Sequence, residues 1–389
     1  MKSWLPIAPR SHFSLQNIPF GVISTNEKQQ HRPAVAIGDH VLDLDAFAQG
    51  GGFRKAATLS ADQLKVFSQP TLNSFAELGR PVHRIVRSYL QEVLQDSTPH
   101  PDILKDNDAL KKSALRPVSE VSLHLPFAIG DYTDFFAGRN HAHNVGTLFR
   151  GAANALQPNY NHLPVAYHGR ASSVVVSGTP LRRPWGQALP APGATEPVFR
   201  PCARLDIELE MGMFICKPNN LGSPIPVNEA EEYIFGYVLM RSARDIQQWE
   251  YVPLGPFNAK NFGTSISPWV VLADALEPFR TKGLPNDVQL QSYLRENRAE
   301  NVLDINLEVS LSGDLLGSGT VSGSEPGTQG SLLEQSQGGK VPIKLNGGQE
   351  RKFLQDGDTV VIKGWAGGAD GELVGFGECS GQILAPIAL

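Results

Sequence analysis

Residues 206–211 read Asp206-Ile207-Glu208-Leu209-Glu210-Met211, a strict alternation of acidic and apolar side chains. Period two is the signature of an extended strand, with Asp206, Glu208 and Glu210 on one face and Ile207, Leu209 and Met211 on the other. The stretch therefore predicts a sheet-based chain. Three carboxylates on one face repel unless something neutralises them, and a hard divalent cation would do so through oxygen ligands. The competing reading is a solvated face, because antiparallel sheets commonly keep one side wet.

Working outward, short strand candidates recur on both sides. Towards the N-terminus they are Phe20–Ser24, Ala34–Ile37 and Val41–Leu44, with Gly38-Asp39 as a hairpin turn between the last two. Between Leu64 and Asp96 the period changes: Val82, Ile85, Val86, Leu90, Val93 and Leu94 fall three and four apart, as on a helix. A polar, proline-bearing stretch, Asp96 to Pro117, then suggests a border, giving units 1–117 and 118–389. Beyond it lie strand candidates at Ser173–Val176, Asp206–Cys216, Trp269–Leu272, Ile305–Leu311 and Thr359–Ile362, with one helical stretch expected around Glu229–Phe235. The expected class is mainly β with some α: a small β-barrel-like domain carrying helices, then a larger β-rich domain.

Composition removes several classes. A net charge of −5 over 389 residues offers no basic footprint for nucleic acid. No apolar run reaches membrane-spanning length, and the first fifteen residues lack the continuous apolar core of a signal peptide. Three scattered cysteines support neither a disulfide framework nor a zinc site. A cytosolic, cytoplasmic globular protein is expected.

Chemistry-bearing residues gather in a few segments. Asp134, Arg139, His141, His143 and Arg150 lie in one glycine-flanked stretch. Asp134 would supply a further oxygen ligand and His141 has the titration range of a general base, while a polar loop with a hydrogen-bonded histidine explains the same residues. Tyr167, His168 and Arg170 suit either an acidic substrate or a turn. Arg244 and Gln247, three apart, share a face on a helical turn and suit an oxyanion, or else a surface helix. Lys260 adds a positive charge on a loop, the usual place for a solvated lysine.

Five segments together carry a resemblance: DYTDFFAGRNHAHNVGTLFRG (131–151), LPVAYHGRASSVVVSGTPLRRPWGQ (163–187), RLDIELEMGMFI (204–215), SARDIQQWEYVPLGPFNAKNFGTSISPWVV (242–271) and GDLLGSGTVSGSEPGTQGSLLE (313–334). In order and content they resemble the fumarylacetoacetase family. The resemblance implies an SH3-like N-terminal barrel, a β-roll catalytic domain and a homodimer. It also implies hydrolysis of the carbon–carbon bond of 4-fumarylacetoacetate to fumarate and acetoacetate, closing tyrosine and phenylalanine catabolism. By the same resemblance Asp134, Glu208 and Glu210 are ligands of Mg²⁺ or Ca²⁺, with Lys260 and Thr264 at a secondary magnesium position. His141 is the base, Glu334 orients it, and Arg244, Gln247 and Lys260 stabilise oxyanion charge. Phe136, Arg150, Tyr167, Gln247, Tyr251 and Thr320 correspond to substrate contacts.

Three departures from the family pattern bear on activity. Arg241 stands where the family has Asn-Asp-Trp, whose aspartate is a fourth metal ligand. A family segment that includes a helix is absent between Ser312 and Gly313, and Phe136 replaces a tyrosine. An impaired member of the family, and a sister acylpyruvate hydrolase, therefore stay open as alternatives at the level of sequence.

Overall fold

The computed structural model describes every residue except 57, 241–243, 312–313, 318–319, 346–347, 369–372 and 389. The junctions at Arg241 and at Ser312–Gly313 thus lie outside the described residues. The chain is mixed α and β, built in two parts on a sequence-local antiparallel sheet and a set of later sheets.

The first sheet contains β1 (Phe20–Thr25), β2 (Arg32–Ile37), β3 (His40–Asp43), β4 (Leu115–Pro117) and β5 (Val121–His124), in the order β4-β3-β2-β1-β5. The expected hairpin forms: Ile37 pairs with His40 around Gly38, whose φ of +54° is readily adopted only by glycine. Because β5 pairs with β1, the sheet runs past the border expected at 117/118. Behind it packs the helix Arg80–Leu94, which buries Val86, Leu90, Val93 and Leu94 as the three-and-four spacing predicts.

That packing makes an aromatic core. Phe75 is fully buried and its ring meets those of Phe20, Phe67, His83 and Phe235. Phe235 belongs to the strand Ile234–Met240, so the core of the first part continues into the second. Phe20 and Val270 also exchange backbone hydrogen bonds, 2.9 and 2.7 Å, across the same junction. Phe75→Ala should cost about 3–5 kcal/mol, the range for truncating a buried phenylalanine, read as a shift in the urea unfolding midpoint.

In the second part β6 (Tyr132–Phe135) pairs with β7 (Ala166–Gly169), and Glu210–Ile215 pairs with Ile234–Met240. A five-stranded sheet contains Asp314–Gly317, Asn306–Leu311, Thr359–Ala366, Val374–Leu384 and Leu181–Arg182, in that order. Two expectations fail. Residues 229–235 form the end of a 3₁₀ helix, Val227–Tyr233, and the start of a strand. A twelve-residue α-helix, Arg139–Arg150, occupies a segment that reads as polar loop, because its buried face is made of His141, Ala142, Val145 and Gly146. Gly146 is obligatory there: a Cβ would stand 1.7 Å from the Ala155 carbonyl oxygen. Among the described residues no helix is long and apolar enough to cross a membrane.

Candidate active site

The acidic alternation does not form a strand along its whole length. Regular pairing begins only at Glu210, and Asp206, Ile207, Glu208 and Leu209 are all buried, between 0 and 6% exposed. Burying carboxylates without partners is prohibitive, so this arrangement depends on cations supplied from elsewhere. Arg244 and Lys260 supply them. Arg244 Nε donates to Asp206 Oδ2 at 2.8 Å and its Nη1 pairs with Glu208, which also pairs with Lys260. The solvated-face reading is excluded.

Lys260 sits in the short helix Asn258–Asn261, whose first amides are held by Glu250: its carboxylate accepts from the backbone N–H groups of Phe257, Asn258 and Ala259 at 2.8–3.0 Å. Burial pulls the Lys260 ammonium down to about 8, against the opposing pull of Asp134 and Asp206. An ammonium has no lone pair to offer a metal, and this one is committed to Glu208, with Asp134 at 3.8 Å. Thr264 is buried in the neighbouring strand Thr264–Ile266.

His141 Nδ1 lies 2.7 Å from Glu334 Oε2, and both side chains are buried. Glu334 is held on every side: Asn144 Nδ2 donates at 2.8 Å, Ser322 Oγ at 2.9 Å and Ser331 Oγ at 2.8 Å. These bonds and the histidine outweigh burial and hold its carboxyl below the usual range, so it is an acceptor. Nδ1 therefore carries the proton and Nε2 keeps a lone pair. Burial lowers the imidazole's own pKa; Glu334 opposes this, and the charges of Arg244 and Lys260 reinforce it. His141 is thus neutral at physiological pH, as a base must be.

Asp134, on β6, accepts a hydrogen bond from Tyr167 of β7, its cross-strand partner. Glu210 lies beside Asp134 and is pushed well above the usual carboxylate range, first by burial and then by the Asp134 charge and a hydrogen bond between the two groups. Two carboxylates brought this close repel, and a hard cation between them is what would relieve that repulsion. The oxygen donors of Asp134 and Glu210 fit such a cation, whereas Glu208 is occupied by Arg244 and Lys260. Among the described residues no three His, Cys, Asp or Glu side chains are gathered as a ready-made metal site.

The expected substrate contacts divide. Arg244 Nη1 lies 3.3 Å from Gln247 Oε1, so that pair meets as its spacing suggests, and Arg244 Nη2 is buried without a partner among the described residues. Phe136 stands edge-on to His141, ring centroids 5.7 Å apart. The Thr320 hydroxyl donates to the Leu209 carbonyl at 2.7 Å. Arg150 turns to the Asn154 and Ala155 carbonyls, and Tyr251 lies near Phe149. Arg139 pairs with Asp287, while His143, His168 and Arg170 are exposed, and none of these four joins the cluster. Sequence reasoning missed Asn144 and Ser331, whose only signal is a position three residues from His141 and from Glu334, and Ser322, which lies twelve residues from Glu334 and carries no such signal.

The geometry is matched by descent. Residues 16–126 fit the family described as Fumarylacetoacetase N-terminal, and residues 132–383 fit Fumarylacetoacetate (FAA) hydrolase C-terminal. The chain belongs to the fumarylacetoacetase family. The fumarylacetoacetase of Emericella nidulans is 56% identical over 432 aligned positions, with 100% of both chains covered. Fumarylacetoacetase fahA of Aspergillus fumigatus is 57% identical over the same span, and the human fumarylacetoacetase is 46% identical with 98% of each chain covered. An alignment of 432 positions against a chain of 389 residues leaves at least 43 positions unfilled. Relative to that fumarylacetoacetase, then, the chain is shortened inside its length.

Proposed function

We propose that this chain hydrolyses the carbon–carbon bond of 4-fumarylacetoacetate, giving fumarate and acetoacetate at the end of tyrosine and phenylalanine breakdown. The observation that carries the reading is the His141–Glu334 dyad, set in one buried cluster with the cations Arg244 and Lys260, in a chain 56% identical to a fumarylacetoacetase.

His141 Nε2 takes a proton from water as the hydroxide adds to the carbonyl carbon beside the scissile bond. Glu334 holds the ring and stabilises the imidazolium. Arg244 Nη2, Gln247 and Lys260 receive the oxyanion, in a site where burial strengthens each contact. When the carbonyl re-forms, the carbon–carbon bond breaks with its electron pair on the acetoacetate fragment, and the imidazolium returns the proton to that carbon. Asp134 and Glu210 would hold a Mg²⁺ or Ca²⁺ ion, which when bound would supply Lewis-acid chemistry.

Family likeness supports three finer readings. The N-terminal sheet is one side of an SH3-like barrel, the later sheets form a β-roll, and the working unit is a cytoplasmic homodimer. The pairing of β5 with β1 favours placing the junction between the parts after His124.

The test is loss of fumarylacetoacetate on addition of purified chain, with and without Mg²⁺ or Ca²⁺, alongside acylpyruvates. Turnover of fumarylacetoacetate above the acylpyruvates is expected. The cation should also raise the melting temperature, with stabilisation of about 2.7 kcal/mol at a hundredfold excess over Kd, lost in Asp134→Asn/Glu210→Gln. A folded chain without turnover, or one faster on an acylpyruvate, overturns the reading.

A further inference from the structure

Asp206 opens the acidic run, yet it belongs to neither the expected ligands nor the expected catalytic groups. It is 2% exposed, and both of its oxygens are fully used. Oδ1 accepts from the backbone N–H of Leu332 and of Ile207, each at 2.8 Å. Oδ2 accepts from Leu333 N at 3.2 Å and from Arg244 Nε at 2.8 Å. The two amides of Leu332 and Leu333 open the turn Leu332–Gln335, which carries Glu334.

One carboxylate thus joins the two halves of the chemistry. Through Arg244 it fixes the guanidinium: with Nε on Asp206 and Nη1 shared by Glu208 and Gln247, Nη2 is left for an incoming oxygen. Through the turn it fixes the carboxylate that orients His141. Charge-assisted bonds of this kind are short, strong and directional, and a buried acid that satisfies four donors cannot be exchanged for a neutral residue without releasing at least one. Relaxation at Asp206 would therefore move the oxyanion donor and the base together.

We infer that Asp206 is a positioning residue that sets the distance between the His141–Glu334 dyad and Arg244. It acts through its partners and touches neither water nor substrate. The inference rests on the function proposed above.

The first measurement is kcat and KM of Asp206→Asn, which keeps the shape but loses the charge. A loss of about 10²-fold in kcat is expected, the penalty for misplacing a reacting group by about an ångström, with KM within about threefold of the parent. In an Arg244→Ala background the same change should cost much less, because half of what Asp206 positions is already gone. Additive losses, or a kcat within threefold of the parent, overturn the inference. Asp206→Glu keeps the charge and displaces it by one methylene; it should show the same kcat-selective loss. Failure of both variants to fold also overturns it, since positioning would then be inseparable from the fold. Crystal structures separate this claim from the assigned reaction. Should the parent chain prove inactive on fumarylacetoacetate, Asp206→Asn must still shift both Arg244 and the Leu332–Gln335 turn, and an unmoved pair sinks the inference.

Discussion

Replacing His141 by alanine lowers kcat by about 10²–10⁴-fold, the range for removing a general base, and leaves KM nearly unchanged because the imidazole contributes little to ground-state binding. The pH profile carries the sharper prediction. Burial holds the imidazole below its ordinary 6.5, so the neutral base persists to lower pH than for a free histidine. Activity is present above that depressed pKa and is lost as pH falls through it, placing the acidic limb of kcat/KM below 6.5. Glu334 is the leading opposing influence and raises the histidine's pKa. Glu334→Gln therefore moves the limb further down while reducing kcat, since the imidazolium loses its counter-charge and the tautomer its anchor. Rate measurements from about pH 5 to pH 8 decide this. A limb at or above 6.5 in the parent, or one that rises in the glutamine variant, contradicts the assignment of His141 as base.

The second large effect falls on Arg244, where stability and catalysis are lost together. Its guanidinium is 3% exposed and partners two acids that are 2% and 4% exposed. Arg244→Ala takes from Asp206 the guanidinium it binds and from Glu208 one of the cations paired with it, and breaking a buried pair in this way costs about 3–5 kcal/mol. Against a total stability of about 5–15 kcal/mol that is a large fraction, visible as an early urea transition. Removal of an oxyanion donor adds a loss of about 10²–10³-fold in kcat. Arg244→Lys separates the two contributions. A lysine keeps the charge but not the planar fork, so it should recover more of the stability than of the rate. Equal recovery of both would show that charge alone, and not the planar fork that reaches Asp206 and Glu208 together, is what the site uses.

How far the sequence reaches is clear from these same residues. Residue type and local spacing single out Arg244, Gln247, Lys260 and His141 as candidates but leave a surface helix, a solvated lysine and a polar loop open beside them; burial of Arg244, Lys260 and His141 in one cluster is a tertiary fact. The state of the acidic run was not legible either. A wet face and an ion-paired interior give the same alternation, and the deciding cations enter from Arg244 and Lys260, on later segments. The helix Arg139–Arg150 escaped for a related reason: its buried stripe is His141, Ala142, Val145 and Gly146, in which valine is the one strongly apolar residue, too little for a helical period to show. Asp206 looked equivalent to Glu208 and Glu210, because alternation fixes the face a side chain takes and not the amides it meets. The N-terminal hairpin and the helix Arg80–Leu94 came out correctly because turn chemistry and amphipathic period are local.

The aromatic junction at Phe75 and Phe235 bears on how inherited changes in such a chain would act. Phe235 lies on the strand whose far end, Met240, pairs with Glu210, so the packing behind the site is shared with the N-terminal part. A substitution there alters no group that touches the reaction, yet it lowers the folded fraction that chaperones and proteases leave in the cell. Such variants should present as scarcity: fewer enzyme molecules, each turning over at its normal rate.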